Sequence, residues 1–346
     1  MQVDKMGRLD AGQLSAVLAL VMRTRAVDLV APLSEQVLLA ARDGRTPGST
    51  HFLAYDGTHL AGYAHLERGP AGAASTAEVV VDPADRRRGV GTALIRALET
   101  AVAERLEAEP SPEAETLRPD VETLQVWSHG HLDGARALAA RDGYSNVREL
   151  WAMSRQLRSD ADTPPADAYP PAAETVLLPD VRLPDGFSSR RFVVGQDEDA
   201  WLGVNARAFA DHAEQGRMTR HDLDLRISEP WFDATGFILI EDTRGTAPVL
   251  AASHWTKVVP AADPRLSPTQ GEVYVVGVDP AYQGLGLGHA VTVLGLAHLR
   301  ERGLAQATLF VDGDNSAAVA TYARLGFTRV AVDVMYSHAV HPPVPR

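Results

Sequence analysis

What most constrains this chain is a repeat within it. Val80-Val81-Asp82-Pro83-Ala84 returns as Gly277-Val278-Asp279-Pro280-Ala281. Each block runs into a glycine-rich turn, Arg86-Arg87-Arg88-Gly89-Val90-Gly91 in the first half and Gln283-Gly284-Leu285-Gly286-Leu287-Gly288 in the second, and the two align without a gap. Further on, Ala140-Arg141-Asp142-Gly143-Tyr144 echoes Ala323-Arg324-Leu325-Gly326-Phe327. The spacing there is longer in the first half, and Glu107 to Pro119, rich in Glu and Pro, accounts for it as a surface loop. Two copies of one fold must therefore share 346 residues, and each copy is large enough to bury its own core. Between them, Pro164-Pro165 and Pro170-Pro171 stand among Asp and Ala, the composition of a stiff, extended linker. The expected division is a first domain over 1–158, a linker over 159–185 and a second domain over 186–346.

Both halves read as mixed α/β. Apolar spacing predicts helices over Leu14 to Val30 and over Gln36 to Ala41 behind the cap Ser34. His51 to Tyr55 and Leu60 to Leu66, joined at Asp56-Gly57, predict a hairpin, Glu78 to Val81 a strand and Gly91 to Leu106 a helix. The second half repeats the order with strands at Phe237 to Ile240, Ala251 to Val259 and Val273 to Val278. A helix at Gly288 to Arg300, a strand at Ala307 to Val311 and a helix at Ser316 to Leu325 complete it. A formal charge of -12 argues against a nucleic-acid partner. No apolar run approaches the length of a membrane helix, and the start lacks the basic-then-apolar order of a signal peptide. Zero cysteines exclude disulfides and thiolate metal sites and fit a cytoplasmic protein. His129 and His131 lack an evident third ligand, so no metal is expected.

A strand that enters a glycine-rich turn opening a helix is an anion site, because the helix start offers backbone N–H groups and the positive end of its dipole. A phosphate-binding loop of the NTPase type would need Gly-Lys-Ser/Thr, which Gly288-His289-Ala290 does not supply; the glycine spacing also fits a dinucleotide fingerprint poorly. Gln283-x-x-Gly286-x-Gly288 and Arg86-x-x-Gly89-x-Gly91, each behind Val-Asp-Pro, match the Q/R-x-x-G-x-G/A pyrophosphate loop of the GNAT superfamily of N-acetyltransferases. Two matches in register make the chain resemble that superfamily over nearly its whole length.

The resemblance implies two tandem GNAT folds, each a mixed, mostly antiparallel sheet flanked by helices, with acetyl-CoA as co-substrate. It implies that Val276, Gly277, Val278, Gln283, Gly284, Leu285, Gly286, Leu287, Gly288 and His289 hold the cofactor in the second half. Asn315, Ser316, Ala317, Ala318, Val319 and Ala320 join them. In the first half the matching cradle is Val79, Val80, Val81, Arg87, Arg88, Gly89, Val90, Gly91 and Thr92. Family members often use a carboxylate on the fourth strand as base and a tyrosine on the last helix as acid. Glu272 and Tyr322 stand at those positions, and the gapless register sets Ser75 and Ala139 opposite them. Glu78, three positions along from Ser75, is expected to face the other side. The second half is thus expected to be catalytic, the first a cradle without an acid–base pair.

Further polar segments, among them His254-Trp255-Thr256-Lys257 and Glu272-Val273-Tyr274-Val275, resemble tandem members of the superfamily that acetylate a small-molecule thiol pseudo-disaccharide, cysteinyl-glucosaminyl-inositol, at its cysteinyl amine. That likeness implies that Glu35, Glu214, Lys257 and Glu272 contact the acceptor. Phe310 departs from it, standing where an aromatic hydroxyl is usual. Trp127 and Trp255 read as core residues. Two fused halves make a monomer sufficient. The competing acceptors are another small amine, aminoglycoside-like, or a protein N-terminus; an acetyl-CoA sensor without turnover would have no use for Glu272 and Tyr322.

Overall fold

The structure, a computed structural model, describes residues 2–341 except 45, 47, 71–72, 108–120, 158–177, 211–214 and 260–268. The chain forms two compact units, but their limits are not contiguous in sequence. The first comprises Met1–Leu150 with Ala331–Arg346, the second Trp151–Val330.

The first unit begins with β1 (Gln2–Met6), α1 (Ala11–Asp28) and α2 (Glu35–Asp43). Asp10 caps α1 in a reciprocal box with Gln13, and Ser34 Oγ accepts from Val37 N at 3.3 Å to start α2. The hairpin β2 (Ser49–Asp56) and β3 (His59–Glu67) follows, then β4 (Ser75–Val81), α3 (Val90–Glu107), β5 (Glu122–Ser128) and α4 (Asp133–Arg141); β6 (Ser145–Gln156) starts in the first unit and ends in the second. The second unit adds β7 (Phe187–Arg191), α5 (Glu198–Ala208), α6 (Arg220–Ile227), β8 (Phe237–Asp242), β9 (Val249–Val259), β10 (Gln270–Val278), α7 (Leu287–Glu301), β11 (Gln306–Asp312) and α8 (Ser316–Arg324). The last strand is β12 (Thr328–Val340). The expected tandem mixed sheets are present, and the helices and strands read from the repeat stand within a few residues of their expected limits.

Each sheet contains a parallel pair, β4 with β5 and β10 with β11, joined by the crossover helices α3 and α7, while β1 to β4, β5 with β12, and β7 to β10 pair antiparallel. The strand order is β1-β2-β3-β4-β5-β12 in the first unit and β6-β11-β10-β9-β8-β7 in the second. The closing strands are exchanged. Val334–Val340 of β12 pair antiparallel with Ser128–Glu122 of β5, while β6 completes the sheet beside β11, where Leu157 N donates to Ala305 O at 2.7 Å. This differs from a division at 158 and 186, which follows composition. Strand pairing is long-range, so a proline-rich stretch between two strands does not determine which sheet either strand joins. Most of that stretch lies outside the described residues, as does the loop expected over 107–119 apart from Glu107, which ends α3.

Both faces of each sheet are covered. In the first unit Ala77 packs with Leu94 and Leu98 of α3, and Val80 with Val17 and Leu20 of α1. In the second, α7 buries Leu296 and Leu299 on one face, and Trp201 of α5 meets Trp255 and Phe237 on the other. Trp255 and Trp127 are both buried, as expected. No helix among the described residues is long and apolar enough to cross a membrane.

Candidate active site

The two turns have one construction. Asp279 closes β10 and its carboxylate accepts from Ala281 N at 3.0 Å, initiating a short helical turn over Pro280–Tyr282. Gly284 and Gly286 then take positive φ, 79° and 78°, and α7 starts, its first intrahelical bond running from Ala290 N to Gly286 O. The first-turn N–H groups of Leu287, Gly288 and His289 have no acceptor within the helix, the arrangement that receives a phosphate. A Cβ at Gly284 or Gly286 would meet open space, so the glycines answer to φ, and the space before the helix is free for a ligand. In the first unit Asp82 accepts from Ala84 N at 3.0 Å, Gly89 has φ 88°, and Arg87, aligned with Gly284, is held at φ 64°. The repeat extends to a contact invisible in the sequence: Arg23 of α1 donates to Asp82 and Arg207 of α5 to Asp279, both through Nε at 2.8 Å.

Around the first turn lies a cavity of about 650 Å³ lined by Val79, Val80, Val81, Arg87, Gly89, Val90, Gly91 and Thr92, with Trp127, Ser128 and His129 across from them. Eight of the nine first-half cradle residues thus face one cavity. The ninth, Arg88, is turned to Asp85 and Asp56. Asn315 caps α8, its Oδ1 accepting from Ala318 N at 3.1 Å, which fixes the start of the helix that carries Tyr322. Glu214 lies outside the described residues, and Glu35 opens α2 in the first unit.

The units differ at the strand before the turn. Against β3, β4 pairs from Thr76 to Val81 without a shift. Against β9, β10 shifts register between Val273 and Val275. Such a bulge adds a residue to one strand and reverses the facing of everything beyond it. Val273 accordingly packs with Leu296 and Leu299 on the α7 face, yet Val275, two residues on, packs with Phe192, Trp201 and Trp255 on the other. The bulge also opens the sheet. Parallel pairing of β10 with β11 ends at Val273 and Leu309, whereas β4 and β5 stay paired to Glu78 and Trp127. Val273 aligns with Thr76, so the second unit parts two residues earlier, at Tyr274.

The same reversal corrects the expectation for Glu78. With no bulge in β4, Glu78 shares the face of Val80, towards α1 and α2, and its Oε2 accepts from Ser34 N at 2.6 Å. It therefore faces the helix pair α1 and α2, but it is occupied. His129 Nε2 lies 3.2 Å from Glu78 Oε2, and His129 Nδ1 lies 2.9 Å from Asp333 Oδ2 of β12. Burial opposes a charge on His129, but the two carboxylates outweigh it and lift the imidazole to about 10. Burial likewise disfavours the Glu78 carboxylate, and His129 with Ser34 overcomes it and holds the group below its usual range. Among the described residues His59, Asp82 and Asp85 form the one trio with metal-ligand spacing, and Arg23 and Arg88 already engage its carboxylates.

In the second unit Lys257 stands directly opposite Glu272 in the β9–β10 ladder, which puts the two side chains on one face. Lys257 Nζ lies 4.5 Å from the Trp231 ring centre and 4.9 Å from that of Tyr274. Tyr322 packs beside the cluster that holds Val273 and Val276, 5.8 Å between ring centres from Phe327, and burial pushes its hydroxyl up to about 12. Arg226 escaped the sequence reading, and Tyr274 stood in it only as part of a matching segment, without a role. A gapless repeat conceals a bulge, since residue counts match while pairing does not.

Residues 21–129 and 206–327 match the acetyltransferase (GNAT) family. The chain is similar to the mycothiol acetyltransferase of Kytococcus sedentarius, 48% identical over 94% of this chain and 92% of that one. It is also similar to that of Thermomonospora curvata, 48% identical over 94% and 93%. Its fold resembles a solved tandem GNAT protein from the clavulanic acid biosynthesis pathway, with TM-score 0.68 and 17% identity, covering 99% and 100% of the two chains. The chain belongs to the acetyltransferase (GNAT) family and, within it, to the mycothiol acetyltransferase family.

Proposed function

We propose that the second unit transfers acetyl from acetyl-CoA to the cysteinyl amine of desacetylmycothiol, cysteinyl-glucosaminyl-inositol, giving mycothiol and CoA. The observation that carries this reading is the bulge in β10, which opens the strand beside Glu272, where Glu272, its cross-strand neighbour Lys257 and Tyr274 share the face away from α7. The acceptor follows from the full-length likeness to mycothiol acetyltransferases.

In this reading Glu272 takes a proton from the amine. An α-amine titrates near 7.7, so the base need only bias a balanced equilibrium. The backbone N–H of Val276 or Val278 donates to the carbonyl oxygen as charge develops on it. Tyr322, kept protonated by burial, returns a proton to the departing thiolate. Gln283 through His289 and Asn315 through Ala320 hold acetyl-CoA, with the pyrophosphate at the start of α7. Glu35, Glu214 and Lys257 bind the acceptor. Acetyl-CoA also enters the first unit's cavity but is not turned over there, because Glu78 is occupied by His129 and Ser34. The same reading makes the enzyme a cytoplasmic monomer that needs no metal. The test is turnover of acetyl-CoA with cysteinyl-glucosaminyl-inositol, followed by mass spectrometry after capping thiols. N-acetylated product, lost in Glu272→Gln, supports both function and site; acetyl-CoA binding without product turns the search to other amines.

A further inference from the structure

The second unit holds an assembly next to Glu272 and Lys257 that the proposed reaction does not yet use. Tyr274 sits within the bulge, where a side chain leaves the regular alternation of the strand. Its ring is held by neighbours on two sides: Trp255 meets it edge-on at 5.1 Å between centres, and Trp231 stands at 5.1 Å and 64°. Its hydroxyl oxygen accepts from Nε of Arg226 at 2.8 Å. Arg226 is a buried guanidinium, 7% exposed, on α6. That helix is anchored at its start by a reciprocal cap between Thr219 and Asp222, and Arg226 Nη1 donates to the Asp222 carbonyl at 2.9 Å. A buried guanidinium is costly to keep and is retained where its fork fixes a partner's geometry.

We infer that Arg226 is a positioning residue for the acceptor: through Tyr274 it holds the Lys257 ammonium opposite Glu272, and so sets affinity for the acceptor without affecting affinity for acetyl-CoA. Each step is a contact in the structure. The cap fixes α6, α6 presents Arg226, and Arg226 fixes the Tyr274 ring. The Tyr274 and Trp231 rings then hold Lys257 by cation–π attraction. All these residues lie on the face of β10 away from α7, whereas the phosphate-binding turn lies at the strand's far end. The inference rests on the proposed function, since it concerns the acceptor of that reaction.

The experiment is steady-state kinetics with both substrates varied, on the full chain, for Tyr274→Phe, Arg226→Met and the double variant. Tyr274→Phe keeps the ring under Lys257 and removes the oxygen that Arg226 holds. Each single change is expected to raise the acceptor KM about tenfold, with the acetyl-CoA KM within about twofold. The double variant is expected to be no worse than the worse single, because the two act through one bond. Equal weakening of both substrates, additive losses, or an unchanged acceptor KM would overturn the inference. If Arg226→Met does not fold, Tyr274→Phe alone carries the test. Wild-type protein without turnover would sink the proposed function and this inference together, whereas wild-type turnover with a silent Tyr274→Phe sinks only the inference.

Discussion

The first unit's β4 and the second unit's β10 align residue for residue, enter the same capped turn and precede the same helix, yet only β10 is bulged. One shift of register opens β10 from β11 two residues earlier and sets Glu272 and Tyr274 on the face away from α7, whereas Ala77, the counterpart of Tyr274, packs against α3. Without it, β4 stays zipped to Glu78, and the closed end of the first unit's cleft is pinned by Glu78, His129 and Asp333. A binding cradle therefore needs the turn and the splay, while an acid–base site needs in addition that the strand break phase. Duplicating a sequence duplicates the first requirement far more readily than the second.

The largest effect expected from this contrast is at Glu272. Glu272→Gln is expected to lower kcat by about 10²–10⁴-fold, the range for loss of a general base, with acetyl-CoA affinity retained. Steady-state rates beside a binding titration check it. A variant that keeps most of its rate would return the base to another residue and would break the claim that the bulge makes the site.

Next is the acid. Tyr322 is held up to about 12 by burial, so it keeps its proton across the working range. A group that must be protonated loses function only as pH rises through its own pKa. The rate is therefore expected to show no Tyr322-dependent fall between pH 8 and 10, and Tyr322→Phe to lower kcat about tenfold or more across that interval. A wild-type alkaline limb below pH 10 that vanishes in Tyr322→Phe would show that the hydroxyl titrates too early for the burial seen.

Much of this was legible in the sequence, and the failures share a cause. The Val-Asp-Pro blocks and glycine turns are local, so composition and spacing located them, the helices they open and the eight cradle residues of the first cavity. Strand exchange was not legible: nothing in Thr328–Val340 marks it as the partner of β5 rather than of the sheet built by the residues just before it in sequence. The bulge was hidden because Ser75 and Glu272 align while their side chains face opposite ways. Arg226 and Trp231 sit in segments without a repeat counterpart, and only packing brings them to Tyr274.

The pinned end of the first unit supplies a third expectation. Removing one partner of a buried ion pair costs about 3–5 kcal/mol, so Asp333→Asn should lower the stability of the first unit by roughly that amount near pH 6. His129 has a folded value of about 10 against an ordinary 6.5. A raised value means that its contribution is complete below pH 6.5 and is lost as pH climbs towards 10. His65 and His254, each lowered to about 4 by burial, work in the opposite direction and weaken the fold as pH falls from 6.5 towards 4. Denaturant unfolding of wild type and Asp333→Asn at pH 6 and pH 9.5 checks this: the gap between them should narrow at the higher pH. A gap that widened would mean that His129 is neutral in the folded protein.

The smallest effect separates the two turns themselves. Arg87 holds φ 64° where its counterpart Gly284 holds 79°, and an L-residue in this region is disfavoured by about 1–2 kcal/mol. Gly284→Ala has open space for its Cβ, so its cost is this conformational penalty less the chain entropy gained by losing a glycine, about 1 kcal/mol net. Arg87→Gly runs the exchange backwards: strain is relieved, the unfolded chain gains freedom, and stability should stay within about 1 kcal/mol of wild type. Binding should respond differently, because Arg87 lines the first cavity and an added cation draws a polyanionic ligand. Titration with acetyl-CoA of a variant silenced in the second unit, with and without Arg87→Gly, should therefore show weaker binding with little loss of stability. If affinity is unchanged, the strain at Arg87 serves the turn's shape alone, and backbone N–H groups account for anion binding at the first cradle, as proposed for the second.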